Sequence, residues 1–165
     1  LIVIINIESL IKKIIVVINQ LRLSLQMISF YQLIQVTGMK KKIKNNIKIN
    51  VASEFVPELS NNEDSLFYFS YKVSISNLGV NKVQLLSRHW NIKDALGREK
   101  VIDGEGVIGK KPIIDPGQSY EYKSYCPLKT EYGSMDGFYT MKDEKGKLFK
   151  SIIPDLGLIS PDIIN

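Results

Sequence analysis

Cysteine, histidine and tryptophan occur once each in the 165 residues. A lone cysteine, Cys126, excludes an internal disulfide framework and fits a reducing compartment, so a cytoplasmic setting is expected. A lone histidine, His89, leaves only one possible Ser/His/acid triad, with Ser87 two residues away on the same strand face and Asp103 or Glu105 alongside. Two residues at that spacing stand about 7 Å apart, too far for a nucleophile to reach its base, so no catalytic residue is assigned and the chain is read as non-enzymatic. His89, Cys126, Asp103 and Glu105 carry metal-binding atoms, but no H-x-x-x-H or C-x-x-C spacing fixes them, and neither a metal nor a cofactor is expected.

Long uncharged apolar runs are also missing. Residues 1–38 come nearest, yet Glu8, Lys12, Lys13 and Arg22 interrupt them and Leu23 to Gly38 contains Ser, Gln and Thr, so no membrane span is read. The segment has no basic start and no small-residue cleavage site, so it fits a secretory signal poorly. Charge of either sign is not in great excess: 22 basic residues face 17 acidic ones, for a net +5. Nucleic acid is allowed by that balance but not strongly signalled. The one dense basic run, Lys40, Lys41, Lys42 and Lys44, is expected to be a solvated flexible tail, with a nucleic-acid arm as the alternative.

What is present divides at Met39. Before it, residues 1–38 hold no proline and no glycine ahead of Gly38 and are rich in Ile, Leu, Val, Gln and Asn; after it the composition changes abruptly. The first segment is read as an atypical N-terminal extension arising from an over-early start, which places the domain at residues 39–165. An amphipathic helix built on "LIKKIIVVINQL" and docking on a partner or membrane surface is the alternative.

From Leu66 onward "LFYFSYKVSISN" alternates strictly, with Phe67, Phe69, Tyr71, Val73 and Ile75 on one face. A period of two with aromatic and β-branched residues specifies a half-buried strand. "IKINVASEFV", "VQLLSRHWNIKD", "EKVIDGEGVIG", "QSYEYKSYCPL", "GFYTMKD" and "KLFKSIIP" read in the same way. Turn signals stand at "NLGVN", Asp94 to Gly97, Asp115-Pro116-Gly117, Asp136-Gly137 and Asp143 to Gly146. About seven short strands without a convincing helix predict an all-β sandwich of immunoglobulin or fibronectin type III character.

"DGEGVIGK" carries Gly104, Gly106 and Gly109 in the spacing G-x-G-x-x-G. A dinucleotide site needs a helix after the last glycine, and Pro112 and Pro116-Gly117 leave no room for one. A kinase-type glycine loop needs an H-R-D-like and a D-F-G-like partner, and neither occurs. The glycines are therefore expected to permit a bulge or a close approach of backbone. An anion nest with Lys110 and Lys111 beside it stays open as the functional alternative.

"VQLLSRHWNIKDALGREKVIDGEGVIGKKPIIDPGQSYEYKS" and the pattern G-x-M-x-G-x-Y-x-M at Gly133, Met135, Gly137, Tyr139 and Met141 resemble the ApaG family. The resemblance covers nearly all of residues 39–165 and none of residues 1–38. It implies a fibronectin type III-like fold. It also implies an association with cobalt resistance and magnesium efflux, without an established activity or a catalytic residue to carry over. Related domains of F-box proteins and of a DNA-polymerase-delta-interacting protein look like protein-interaction modules.

Arg88 shares strand parity with Leu86, Trp90 and Ile92, so a regular strand would bury its guanidinium beside the tryptophan. An unpaired buried charge is costly, so either a bulge breaks the parity or Arg88 sits at the rim with a carboxylate such as Glu105. Two functions are carried forward. The favoured one is a module that binds an unknown protein partner through a sheet face or edge, with a dimer possible through unpaired edges. The other is a site for a small anion, nucleotide, pyrophosphate or divalent metal formed by Arg88, His89, Gly104, Glu105, Gly106, Gly109 and Lys110.

Overall fold

The computed structural model describes residues 40–161, and the expectations for residues 1–38 and the start at Met39 lie outside them. Nine strands follow one another: β1 Lys40–Lys44, β2 Ile47–Phe55, β3 Phe67–Asn77, β4 Val83–Asp94, β5 Glu99–Glu105, β6 Ile113–Ile114, β7 Ser119–Leu128, β8 Tyr132–Asp143 and β9 Leu148–Ile159. The only helical piece among the described residues is a 3-10 turn at Pro57–Leu59, so no described helix is long and apolar enough to cross a membrane. All pairings are antiparallel and form two sheets, β1-β2-β3-β7 and β5-β4-β8-β9, with β6 beside the start of β4. Their inner faces make the core of a β-sandwich.

The seven expected strands are all found, and two more are added. The basic run is not a solvated tail: its backbone pairs from Lys40 opposite Val51 to Lys44 opposite Ile47. Asn45 and Asn46 close this hairpin at φ 51° and 59°. Asparagine tolerates that left-handed region better than most residues, which is what a two-residue hairpin turn requires. The second addition, β6, is only two residues long and had no alternation to reveal it.

Alternation holds where it was strongest. Phe67, Phe69, Tyr71, Val73 and Ile75 of β3 are buried, and on β8 the spaced Met135, Tyr139 and Met141 are almost wholly buried with Trp90, Ile153 and Leu156. Asp136-Gly137 is a correction, because it lies within β8 rather than at a turn. Gly137 stands opposite Trp90, and a Cβ there would meet the His89 carbonyl oxygen at 1.9 Å. The glycine serves a close approach between β4 and β8, beside a register shift in the β8–β9 pairing between Met135 and Gly137.

The other turn signals are real turns. After β4 and after β8 the chain reverses by one device, in which Asp94 Oδ1 accepts from the Leu96 and Arg98 amides and Asp143 Oδ1 from those of Lys145 and Lys147. Gly97 and Gly146 take the left-handed position in each.

One side of the sandwich is closed and the other is open. Strand β9 packs across β1 and β2, and Ser53 Oγ donates to the Gly157 carbonyl at 2.6 Å. On the opposite side β5 pairs only with β4 and β7 only with β3 among the described residues, which leaves both outer edges without a neighbouring strand.

Candidate functional site

Between these two open edges lies a cleft of about 670 Å³, within the range of ordinary small-molecule sites. Strand β4 supplies Arg88, Trp90 and Ile92 to it, β3 supplies Tyr71, β8 supplies Met135, β5 supplies Ile102, and β7 contributes its inner face from Tyr122 to Leu128. Val107 and Ile108 close one end.

How Arg88 reaches the cleft answers the parity question. The β4–β8 register shifts between Leu85 and Ser87, so Leu86 is an extra residue. The shift lets Val83 and Leu85 before it, and Trp90 and Ile92 after it, all face the core. Arg88 then falls on the inward face with Trp90. Its guanidinium does not pair with the Glu105 carboxylate. Nη1 donates to the backbone carbonyls of Glu105 at 3.2 Å and Gly106 at 2.9 Å, while the Glu105 side chain is outside with Lys111 Nζ at 2.9 Å.

Each glycine of the G-x-G-x-x-G stretch has its own structural duty. A Cβ on Gly104 would stand 2.7 Å from the guanidinium carbon of Arg88. Gly106, at φ 54°, leaves room for the Lys110 carbonyl oxygen, which an added Cβ would meet at 2.0 Å. Gly109, at φ 70°, forms a two-residue turn with Ile108, closed by reciprocal amide–carbonyl bonds between Val107 and Lys110 of 2.8 and 3.0 Å. These bonds, and the Gly106 amide donating to Leu86 at 2.7 Å, engage the amides of Gly106, Val107 and Lys110, three of those an anion nest would use. Ile108 holds φ 46°, a strained state for a β-branched residue.

Arg88 and His89 do not converge. Successive side chains of a strand point to opposite faces, and His89 stands on the outer face of its sheet. There Nδ1 faces Asp103 Oδ1 at 2.6 Å and Nε2 faces Asn91 Oδ1 at 3.1 Å. Asn91 in turn donates to Asp136 at 3.0 Å, and the imidazole stacks on Phe138 at 4.6 Å between centroids. Among the described residues no three His, Cys, Asp or Glu side chains are grouped to hold a metal ion.

Behind the cleft wall, Tyr122, which lines the cleft, and the fully buried Tyr139 share one hydrogen bond between their hydroxyls. The buried Trp90 indole N–H has no partner of good geometry, although it lies near enough to the Tyr122 hydroxyl to bias it. Burial raises the Tyr71, Tyr122 and Tyr139 phenols above 10.0, with the Arg88 charge opposing the rise in each. The Cys126 thiol, buried in the same wall, is pushed up by burial from 9.0 to about 11, so it is a poor nucleophile at neutral pH. Sequence reasoning had Trp90 as core and missed the inward set Tyr122, Ser124, Cys126 and Leu128 as a lining. Their alternation in "YEYKSYCPL" was visible, but not that β7 would be an edge.

Comparisons with known proteins agree with this architecture. The model of the ApaG domain matches residues 57–143. Protein ApaG of Beijerinckia indica is 43% identical over 123 residues, 74% of this chain and 95% of that protein. Protein ApaG of Afipia carboxidovorans is 43% identical over 125 residues, 76% of this chain and 96% of its own length. A crystal structure of a Bordetella pertussis protein titled ApaA superposes with a TM-score of 0.68 at 37% identity, covering 70% of this chain and 94% of that one. With a fibronectin type III-like sandwich, the matched domain model and relatives covered almost end to end, the chain belongs to the ApaG family.

Proposed function

We propose that this chain is a non-enzymatic protein-interaction module that receives an extended segment of its partner along the open β5/β7 side. The observation that carries this reading is the pair of unpaired edge strands on one side of the sandwich. Free edge amides and carbonyls supply a template for an added strand. Val101, Ile108 and Tyr125, each more than half exposed, supply apolar contacts beside it. A second copy of the chain paired edge to edge is the dimeric form of the same mode.

Catalysis has little support in the arrangement of reactive groups. His89 and the Cys126 thiol belong to different sheets, and the thiol is held protonated by burial. The lone free cysteine fits a cytoplasmic setting. The family's association with cobalt resistance and magnesium efflux is assigned to the partner's activity rather than to a metal bound here. The competing reading, a nucleotide or pyrophosphate held jointly by Arg88, His89 and the glycine stretch, keeps support only from Arg88, since His89 faces the other way.

Affinity capture with the full chain and with a Val101→Lys/Tyr125→Lys variant tests the module. A specific partner held by the native chain and by His89→Ala, but lost from the double variant, is the expected result. Equal capture by all three would overturn the assignment to the open side.

A further inference from the structure

Arg88 poses a problem of charge that the protein alone does not solve. The guanidinium is half-buried in a cleft with aromatic and aliphatic walls, and among the described residues no carboxylate lies within ion-pair distance of it. The two carboxylates of the cleft rim are engaged elsewhere: Asp94 with Arg98 at 2.6 Å and Glu99 with Lys93 at 3.1 Å. Lys100 and Lys129 add positive charge to the lining. A charge removed from water without a counter-charge is unfavourable, and an arginine fork with donors to spare is suited to a planar, bidentate acceptor. Of the other polar groups, the buried Tyr122 and Tyr139 hydroxyls are hydrogen-bonded to each other, so the free donors that the cleft presents are chiefly those of Arg88.

We propose that the β5/β7 cleft is a binding site for a small hydrophobic carboxylic acid, with the carboxylate on Arg88 and the apolar body against Ile92, Ile102, Leu128 and Met135. The chemistry follows from what the site has in excess. Donors and positive charge call for a group that only accepts, and a carboxylate is the smallest such group that fills an arginine fork. The apolar walls call for an alkyl or aryl body, which a bare inorganic anion lacks. A phosphate ester would need further donors around its third oxygen, and the amides of Gly106, Val107 and Lys110 are already bonded within the protein. This site does not depend on the protein-partner reading, because it is tested on the isolated chain.

The single tryptophan makes the test direct, since Trp90 lines the cleft and is the only indole in the chain. Octanoate and 3-phenylpropionate are titrated into the full 165-residue chain, with Trp90 fluorescence and its one indole ¹H–¹⁵N signal as readouts. Their methyl esters, 1-octanol, inorganic phosphate and pyrophosphate are run in parallel. The expected result is saturable binding of the acids that weakens at least tenfold in the esters and in Arg88→Gln, with Arg88→Lys between the two. The ester comparison needs no variant, so it stands even where Arg88→Gln fails to fold. Equal binding of acid, ester and alcohol would overturn the anion subsite and leave an apolar groove. Binding of pyrophosphate in preference to the acids, or of nothing at all, would overturn the proposal outright.

Discussion

Arg88 lies across Gly104, its partner in the antiparallel register of β4 and β5, with the guanidinium occupying the space where a Cβ would be. The relationship explains why a glycine stands at that point of the edge strand and how the arginine reaches the Glu105 and Gly106 carbonyls. It also ranks the glycines by what each one protects.

Alanine at Gly104 meets the far end of a flexible side chain, so Arg88 can move aside at the loss of its carbonyl bonds, a cost of about 1–2 kcal/mol. Alanine at Gly109 meets nothing within 4 Å but keeps a left-handed φ, for about 1 kcal/mol. Gly106→Ala and Gly137→Ala drive a Cβ into backbone oxygens at 2.0 and 1.9 Å, and each is expected to cost more than about 3 kcal/mol. Urea denaturation of the four variants checks the order. Gly104→Ala should also weaken binding of octanoate, because it displaces the arginine.

Ile108 holds a strained backbone while its side chain is 59% exposed at the end of the cleft. Asparagine accepts that φ more readily, so Ile108→Asn should raise stability by about 1 kcal/mol. The same change removes an apolar contact from the open side and should reduce partner capture. A gain in Tm with unchanged capture would mean that the strain serves nothing at that edge.

Four buried acids set the alkaline limit of the fold. Cys126, Tyr71, Tyr122 and Tyr139 all titrate higher in the folded chain than their ordinary values because burial disfavours their anions. The unfolded chain therefore loses these protons first. The stabilisation is fully present below about pH 9, and is lost as pH rises through 9 to 11 for the thiol and from 10 upward for the phenols. Thermal melts between pH 7 and pH 11 should show Tm falling above pH 9. In Cys126→Ala the early part of that decline should shrink.

His89 and Arg88 are adjacent in sequence but separate in function. Removing the imidazole in His89→Ala costs the Asp103 contact and the stacking on Phe138, about 1 kcal/mol on a partly exposed face. Octanoate affinity should be unchanged, whereas Arg88→Gln should lose at least tenfold. Parallel denaturation and fluorescence titrations separate the two residues.

Much of the fold was legible because half-buried strands announce themselves through alternation, as in Phe67 to Ile75, and because Asp94–Gly97 and Asp143–Gly146 carry the chemistry of their turns. Lys40–Lys44 was misread because composition outweighed the Asn45-Asn46 turn that folds the run back onto β2. Asp136-Gly137 looked like a turn because a glycine required by a neighbouring backbone has the same letter as one required by φ. For the site, the cost of burying Arg88 pointed to a bulge that would break its parity with Trp90 or to a carboxylate partner; the bulge at Leu86 precedes Arg88 and keeps it on the Trp90 face, and backbone carbonyls rather than Glu105 receive its guanidinium. The placement of β5 and β7 as open edges on either side of a cleft was not legible, since strand order within each sheet depends on contacts between distant segments and leaves no local pattern.

In-cell photo-crosslinking from p-benzoylphenylalanine placed at Tyr125 on the open side, at Val101 on β5, and at Lys48 on β2 as a control tests whether the open edge is the binding face. Crosslinks to one shared partner, or to a second copy of the chain, are expected from positions 125 and 101 and none from position 48. Crosslinks from position 48 alone would contradict that expectation and move the binding face away from the open edge of the sandwich.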